Sequence, residues 1–149
     1  MNKLSETVSV FATGIPKGQP RVKAFTRGKH AGVYDPGTAN EWKASVAEAF
    51  KRYHGLSINQ AVSVEIVLYM PRPKSHFGAK GLKPTAPQWH TSKPDVDNCA
   101  KAIQDAMTDF QFWKDDSIVC DLSVRKVWTI SKPGAQITVL PMFDYWGNA

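Results

Sequence analysis

One α/β (α+β) domain, a mixed β-sheet with two main helices packed against it, is the fold that three features of the sequence predict. "AVSVEIVLYM" sets Val62, Val64, Ile66, Leu68 and Met70 on one side of an extended chain, the two-residue period of a strand with one buried face. From about Asn98 to Asp109 the period changes. Cys99, Ala102, Ile103, Ala106, Met107 and Phe110 recur at the spacing of an amphipathic helix. Two further alternating runs, "SIVCDLSVRKVW" and "AQITVL", flank a "KPG" turn at 132–134. The 149 residues suffice for one core but are short for two, and no linker divides residues 1–149.

"TVSVFATG" alternates Val8, Val10 and Ala12 and predicts a first strand. The Gly-, Pro- and base-rich stretch from Gly14 to Gly37 predicts a long loop with room for a short hairpin, and loops of that length inside a domain are usually functional. "TANE" predicts a helix start, with Thr38 as N-cap and Glu41 closing a capping box. Trp42, Val46, Ala49, Phe50 and Tyr53 form its apolar face, and Gly55 stops it. Residues 71–94 read as a second Pro/Gly/Lys-rich loop. The order is therefore β–loop–α–β–loop–α–β–β, without internal repeats.

Composition narrows the partners. No apolar run is long enough to span a membrane, and "MNKLSETVSV" lacks the hydrophobic region of a signal peptide, so a cytoplasmic protein is expected. Cys99 and Cys120 match neither a zinc spacing nor a disulfide framework and read as buried thiols. The formal net charge is +6 and the pI about 9.4, which favours a polyanionic partner. The distribution is more telling than the sum. Lys17, Arg21, Lys23, Arg27 and Lys29 succeed one another with no acid between them, as do Arg72, Lys74, Lys80, Lys83 and Lys93. Between Asp95 and Asp121, by contrast, seven aspartates face two lysines.

That acidic stretch is "KPDVDNCAKAIQDAM" and, a few residues later, "WKDDS". Pro94 disfavours helix at Lys93 and ends the loop, which leaves Asp97 as the natural N-cap. Asp97, Lys101 and Asp105 then lie one turn apart on the polar face, and Asp115 and Asp116 precede the next strand. Taken singly, Asp95 and Asp97 could do no more than favour the positive end of a helix. Taken together with Asp115 and Asp116, they can share one site of three or four carboxylates if the helix lies antiparallel to the strand that follows. Crowded carboxylates without His or Cys suit a hard cation, Mg²⁺ or Mn²⁺, and not zinc. Such a cation activates water and offsets charge on a phosphoryl group, and Lys101 would add to that. The flanking bases, with Lys17, Arg21, Lys23, Arg27 and Lys93 the best candidates, would hold the phosphate backbone that an acidic pocket repels.

At these residues the sequence resembles the RusA family of Holliday junction resolvases, whose motif reads approximately KPDxDNLxKAxxDAL, then a short hydrophobic linker and DD. "PKGQPR" and "VYDP" add a weaker match near the N-terminus. The resemblance implies a homodimeric, Mg²⁺-dependent endodeoxyribonuclease that nicks four-way DNA junctions in recombination and repair. It implies metal-binding roles for Asp95, Asp97 and Asp116, an essential Lys101, and supporting roles for Asp115 and Asp105. Cys99 stands where the family has leucine, and "TDFQFW" lacks a glycine common in the linker.

Other residues keep two readings. His90 could touch phosphate or metal, or neither. Trp89 could stack on a base or pack its loop. Phe112 and Trp113 are expected in the core or between subunits, and Tyr145 and Trp146 in packing or an interface. A different class of protein, a non-cleaving basic module that binds branched DNA, would share the charge pattern but has no need of an intact Asp95, Asp97, Lys101 and Asp116 set. A phosphorylated receiver domain also uses aspartates and a lysine, but its regular βα alternation is absent here.

Overall fold

A computed structural model describes residues 3–143; Tyr145 and Trp146 lie outside the described residues. In chain order the elements are β1 (Val8–Thr13), β2 (Lys23–Arg27), β3 (His30–Tyr34), α1 (Asn40–Ala49), β4 (Val62–Pro71), β5 (Phe77–Gly78), β6 (Gly81–Leu82), α2 (Val96–Asp109), β7 (Val119–Thr129) and β8 (Gly134–Pro141). Four of the strands make the main sheet, in the order β1-β8-β4-β7. β4 and β7 are parallel, while β8 runs antiparallel to both β1 and β4, so the sheet is mixed as predicted. The β4–β7 pair is parallel because the chain crosses back through α2, the usual helical crossover between parallel strands.

One face of the sheet is dry. Val62, Val64, Ile66, Leu68 and Met70 of β4 are all buried, and so are Ala135, Ile137 and Val139 of β8. The register puts Ile66 opposite Ile137 on one side and Val124 on the other. Onto this surface α2 lays Cys99, Ala102, Ile103, Ala106 and Met107, and α1 adds Trp42 and Val46. The opposite face stays polar: the Ser9 and Thr138 hydroxyls lie 3.0 Å apart, and Gln136 donates to Ser9. Gly134 sits where β8 approaches β1 most closely. A Cβ there would strike the Ala12 carbonyl and the Phe11 ring, so only glycine fits.

Four local expectations give way. Thr38 does not cap α1. Asp35 Oδ1 instead accepts the Gly37 N–H at 2.7 Å, the Gly37 carbonyl accepts from Asn40, and the turn delivers Ala39 to the N-cap position. The helix proper ends at Ala49, one residue before Phe50, and a single 3₁₀ turn over Lys51–Tyr53 carries the chain to Gly55 at φ 74°. Cys120 is exposed, not buried, because the β4–β7 register slips between Val62 and Ser63 and leaves it as the unpaired extra residue of a bulge. Residues 71–94 are not free loop. They form the small β5–β6 hairpin and then run along the outer edge of β7, where Trp128 N–H donates to Gln88 and His90 N–H to Lys126. That strip covers a sheet edge that would otherwise present open hydrogen-bonding groups.

Ile66 touches both neighbouring strands and is 1% exposed. Ile66→Ala is expected to cost about 3 kcal/mol of stability, read as a lowered urea midpoint at unchanged m-value.

Candidate active site

The start of α2 is clamped from two sides. On one, the Lys126 ammonium donates to the Ser92 carbonyl at 2.7 Å and the Pro94 carbonyl at 2.6 Å. On the other, Gln19 N–H donates to the Asn98 carbonyl at 2.9 Å. Gly18 lies so close that a Cβ there would come within 3.1 Å of the Asn98 Cβ and 3.3 Å of the Pro94 Cβ. The basic loop after β1 is therefore docked on the first turn of α2.

Between these clamps stand the first two aspartates. α2 begins at Val96, so Asp95, not Asp97, is its N-cap residue. Its backbone is extended as a cap requires, yet its carboxylate makes no capping hydrogen bond. Asp97 Oδ1 accepts only its neighbour's N–H, from Asn98 at 2.9 Å. Both side chains are exposed. Neither carboxylate is spent on capping, which leaves both free for a ligand. Asp95 opens onto a cleft of about 560 Å³ whose wall includes Arg21, Lys93, Gln19 and Asn98. One turn beyond Asp97, Lys101 Nζ lies 3.7 Å from Asp105, whose carboxylate steadies the ammonium on the solvent side of the helix.

The second acidic pair lies elsewhere. Asp115 and Asp116 open a 3₁₀ turn over Asp116–Ile118 that leads directly into β7. The Ser117 hydroxyl beside Asp115, with the N–H groups of Asp116 and Ser117, holds the Asp115 carboxyl below the ordinary range. The turn stands at the foot of β7, since Val119 pairs with Val62, the first residue of β4. Lys126, which holds the chain next to Asp95, pairs with Leu68 far up the same strands. The strand run between Val119 and Lys126 is roughly 23 Å. α2 descends against β7, so the helix begins at one end of the sheet and the acidic turn comes at the other. Among the described residues no three carboxylate, His or Cys side chains of one chain gather around an ion-sized point. The expected convergence of Asp95, Asp97 and Asp116 within a single chain is thus not what the fold produces. Asp95 and Asp97 suit a hard cation by their oxygen chemistry and exposure, but one chain does not close the set.

The cations divide by place. Arg21 and Lys93 line the Asp95 cleft, and Lys17 lines a neighbouring hollow with Gly14 and Trp42. Lys23 and Arg27 stand apart on the β2–β3 hairpin. His90 is a packing residue: it is 7% exposed, its ring centre lies 4.3 Å from that of Trp128, and burial together with Lys126 lowers its pKa. Trp89 pairs across from Val127 and keeps 54% of its surface exposed. Phe112 and Trp113 are fully buried, with Phe112 edge-on to Phe50 at 4.9 Å and the Trp113 indole donating to Thr108. Cys99 is buried beneath the acids and its thiol is pushed up to about 11, chiefly by burial, so it is inert at neutral pH.

Lys126 is the site residue that sequence reasoning passes over. In "SVRKVW" it reads as the polar position of a strand, and nothing local reveals that its ammonium reaches back to residues 92 and 94.

A family model described as Endodeoxyribonuclease RusA matches residues 13–140. The uncharacterized protein YqaN of Bacillus subtilis (strain 168) is 32% identical over 130 residues, covering 85% of this chain and 90% of its own. A crossover junction endodeoxyribonuclease RusA from Aquifex aeolicus (strain VF5) is 23% identical over 137 residues, 91% of this chain and 93% of that one. One from Lactococcus phage r1t is 48% identical over 40 residues, 27% and 30% of the two chains. The chain belongs to the RusA family of endodeoxyribonucleases, an enzyme of the nuclease class. No helix among the described residues is long and apolar enough to cross a membrane.

Lys126→Met keeps the aliphatic stem but removes both carbonyl contacts, so cleavage is expected to fall by about 10²-fold while Lys126→Arg recovers part of it; nicking assays read this directly. Burial holds the His90 pKa in the folded chain below the ordinary value of 6.5 that it has in the unfolded chain. Stability is therefore complete above that pH and declines as acid is added below it. Urea titrations between pH 7.5 and 5 should show this decline, and His90→Asn should flatten it.

Proposed function

We propose that the protein is a homodimeric, Mg²⁺-dependent endonuclease that resolves four-way DNA junctions by paired nicks, in recombination and repair. The carrying observation is the pair of uncapped, exposed carboxylates, Asp95 and Asp97, at a cleft walled by Arg21 and Lys93. The cations bind the phosphodiester backbone, and Asp95 and Asp97 would hold the ion. Lys101, one turn along and braced by Asp105, faces the charge that builds on phosphorus. A bound Mg²⁺ would lower the pKa of a water and offset that charge.

The separation of the acids within one chain bears on assembly. A third aspartate can join Asp95 and Asp97 if Asp116 of the partner subunit is brought to them across a twofold axis. A dimer built this way carries two complete sites, which suits a junction of approximate twofold symmetry. The alternative, a module that binds branched DNA without cutting it, has no use for carboxylates left free of capping.

Purified protein with Mg²⁺ is expected to nick a synthetic four-way junction, with Mn²⁺ as a substitute and EDTA abolishing the product. Asp95→Asn should bind the junction and leave it uncut; undiminished cutting would remove Asp95 from the site. Mixed after unfolding and refolding, Asp95→Asn and Asp116→Asn chains should regain single-strand nicking if aspartates are shared between subunits. A mixture as inactive as its parents would place each set within one chain.

A further inference from the structure

The β2–β3 hairpin stands off the main sheet, and each of its strands pairs only with the other. Arg27 pairs with His30 across a two-residue turn, with Gly28 at φ 62°. The register sorts its side chains by face. Lys23 and Tyr34, Phe25 and Gly32, and Arg27 and His30 are cross-strand partners and share one side. Ala24 and Val33, with Thr26 and Ala31, share the other, which has neither charge nor aromatic ring. The first side therefore reads cation, aromatic, cation along β2, with a second ring across from Lys23. Phe25 is 43% exposed and Tyr34 48%, with ring centres 6.2 Å apart. Phe25 lies across Gly32, where a Cβ would come within 2.7 Å of its ring. The backbone of β3 thus braces the ring in place. From Lys17 through Tyr34 the chain contains no acid.

We propose that this face of the hairpin binds unpaired or unstacked nucleotides, with bases on Phe25 and Tyr34 and phosphates on Lys23 and Arg27. The inference rests on DNA being the partner, and adds a readout of opened bases to backbone binding. Rings carried beside cations suit nucleic acid, because every base offers a face to stack on and every nucleotide a phosphate. Bases stacked inside an intact duplex offer no such face. The branch point of a junction does, so the hairpin favours branched over continuous DNA. Subunit contact through the same rings is the competing use. It makes no use of the cations Lys23 and Arg27 that flank the rings.

The test uses an immobile four-way junction and a matched duplex, each carrying 2-aminopurine at the crossover or within an arm, with Ca²⁺ in place of Mg²⁺. Wild-type protein is expected to change the fluorescence of the crossover probe alone. Phe25→Ala and Phe25→Leu should abolish that change and weaken junction binding about ten-fold, with duplex binding unaltered. Leucine still covers Gly32, so its failure to rescue isolates the aromatic ring. Replacing Lys23 and Arg27 by Gln should reduce the slope of log affinity against log salt by roughly 1.5. Wild-type affinity and fluorescence in Phe25→Ala would overturn the inference, as would a change in its mass by light scattering with DNA binding intact. Junction cutting unaffected by Phe25→Ala would end this role for the hairpin and leave the nuclease reading standing. Wild-type protein that binds no DNA would end both.

Discussion

The packing of α2 on the dry face of the main sheet is the constraint on which the rest of the molecule depends. Cys99, Ile103 and Met107 are wholly buried, as are Val64 and Leu68 of β4 in the same core. Because that stripe must be dry, the polar side of α2 is turned outward, and Asp97, Lys101 and Asp105 are carried to solvent in one row. Because α2 also links two parallel strands, it descends as they rise. Residues at its N-terminal end are thereby parted from those beyond its C-terminal end, and the two groups of aspartates finish at different heights on the sheet.

A second constraint sets the direction of the site. Lys126 places a cation near the positive end of α2, an arrangement that the helix dipole disfavours. Two carbonyl acceptors, those of Ser92 and Pro94, compensate for it. In exchange the chain at Pro94 is tied to β7, so the carboxylate that follows it is anchored to a strand. The docked segment at Gly18 and Gln19 does the same from the other side. Arg21 and Lys93 are thus held at the cleft.

The two base-rich segments, similar in composition, are used differently. Residues 72–90 fold onto the edge of β7, with Arg72 donating to the Pro87 carbonyl and Trp128 held between His76 and His90. The earlier segment divides into a docked part, which completes the acidic cleft, and a free-standing hairpin, which faces outward.

Periodicity alone determined the strand–helix order, the dry face of β4 and the stripe of α2, because burial against a neighbour imposes a strict period of two or 3.6 on nearby residues. Local chemistry likewise marked Asp95, Asp97 and Lys101 as a unit, since they sit within about two helical turns of one another whatever the fold. Anything that depends on distance in space lay beyond it. The bulge at Cys120, the burial of His90 and the reach of Lys126 to Pro94 each arise from a partner remote in the chain. So does the placement of Asp116, which is set by the direction of α2 relative to β7 and not by the number of residues between the acids.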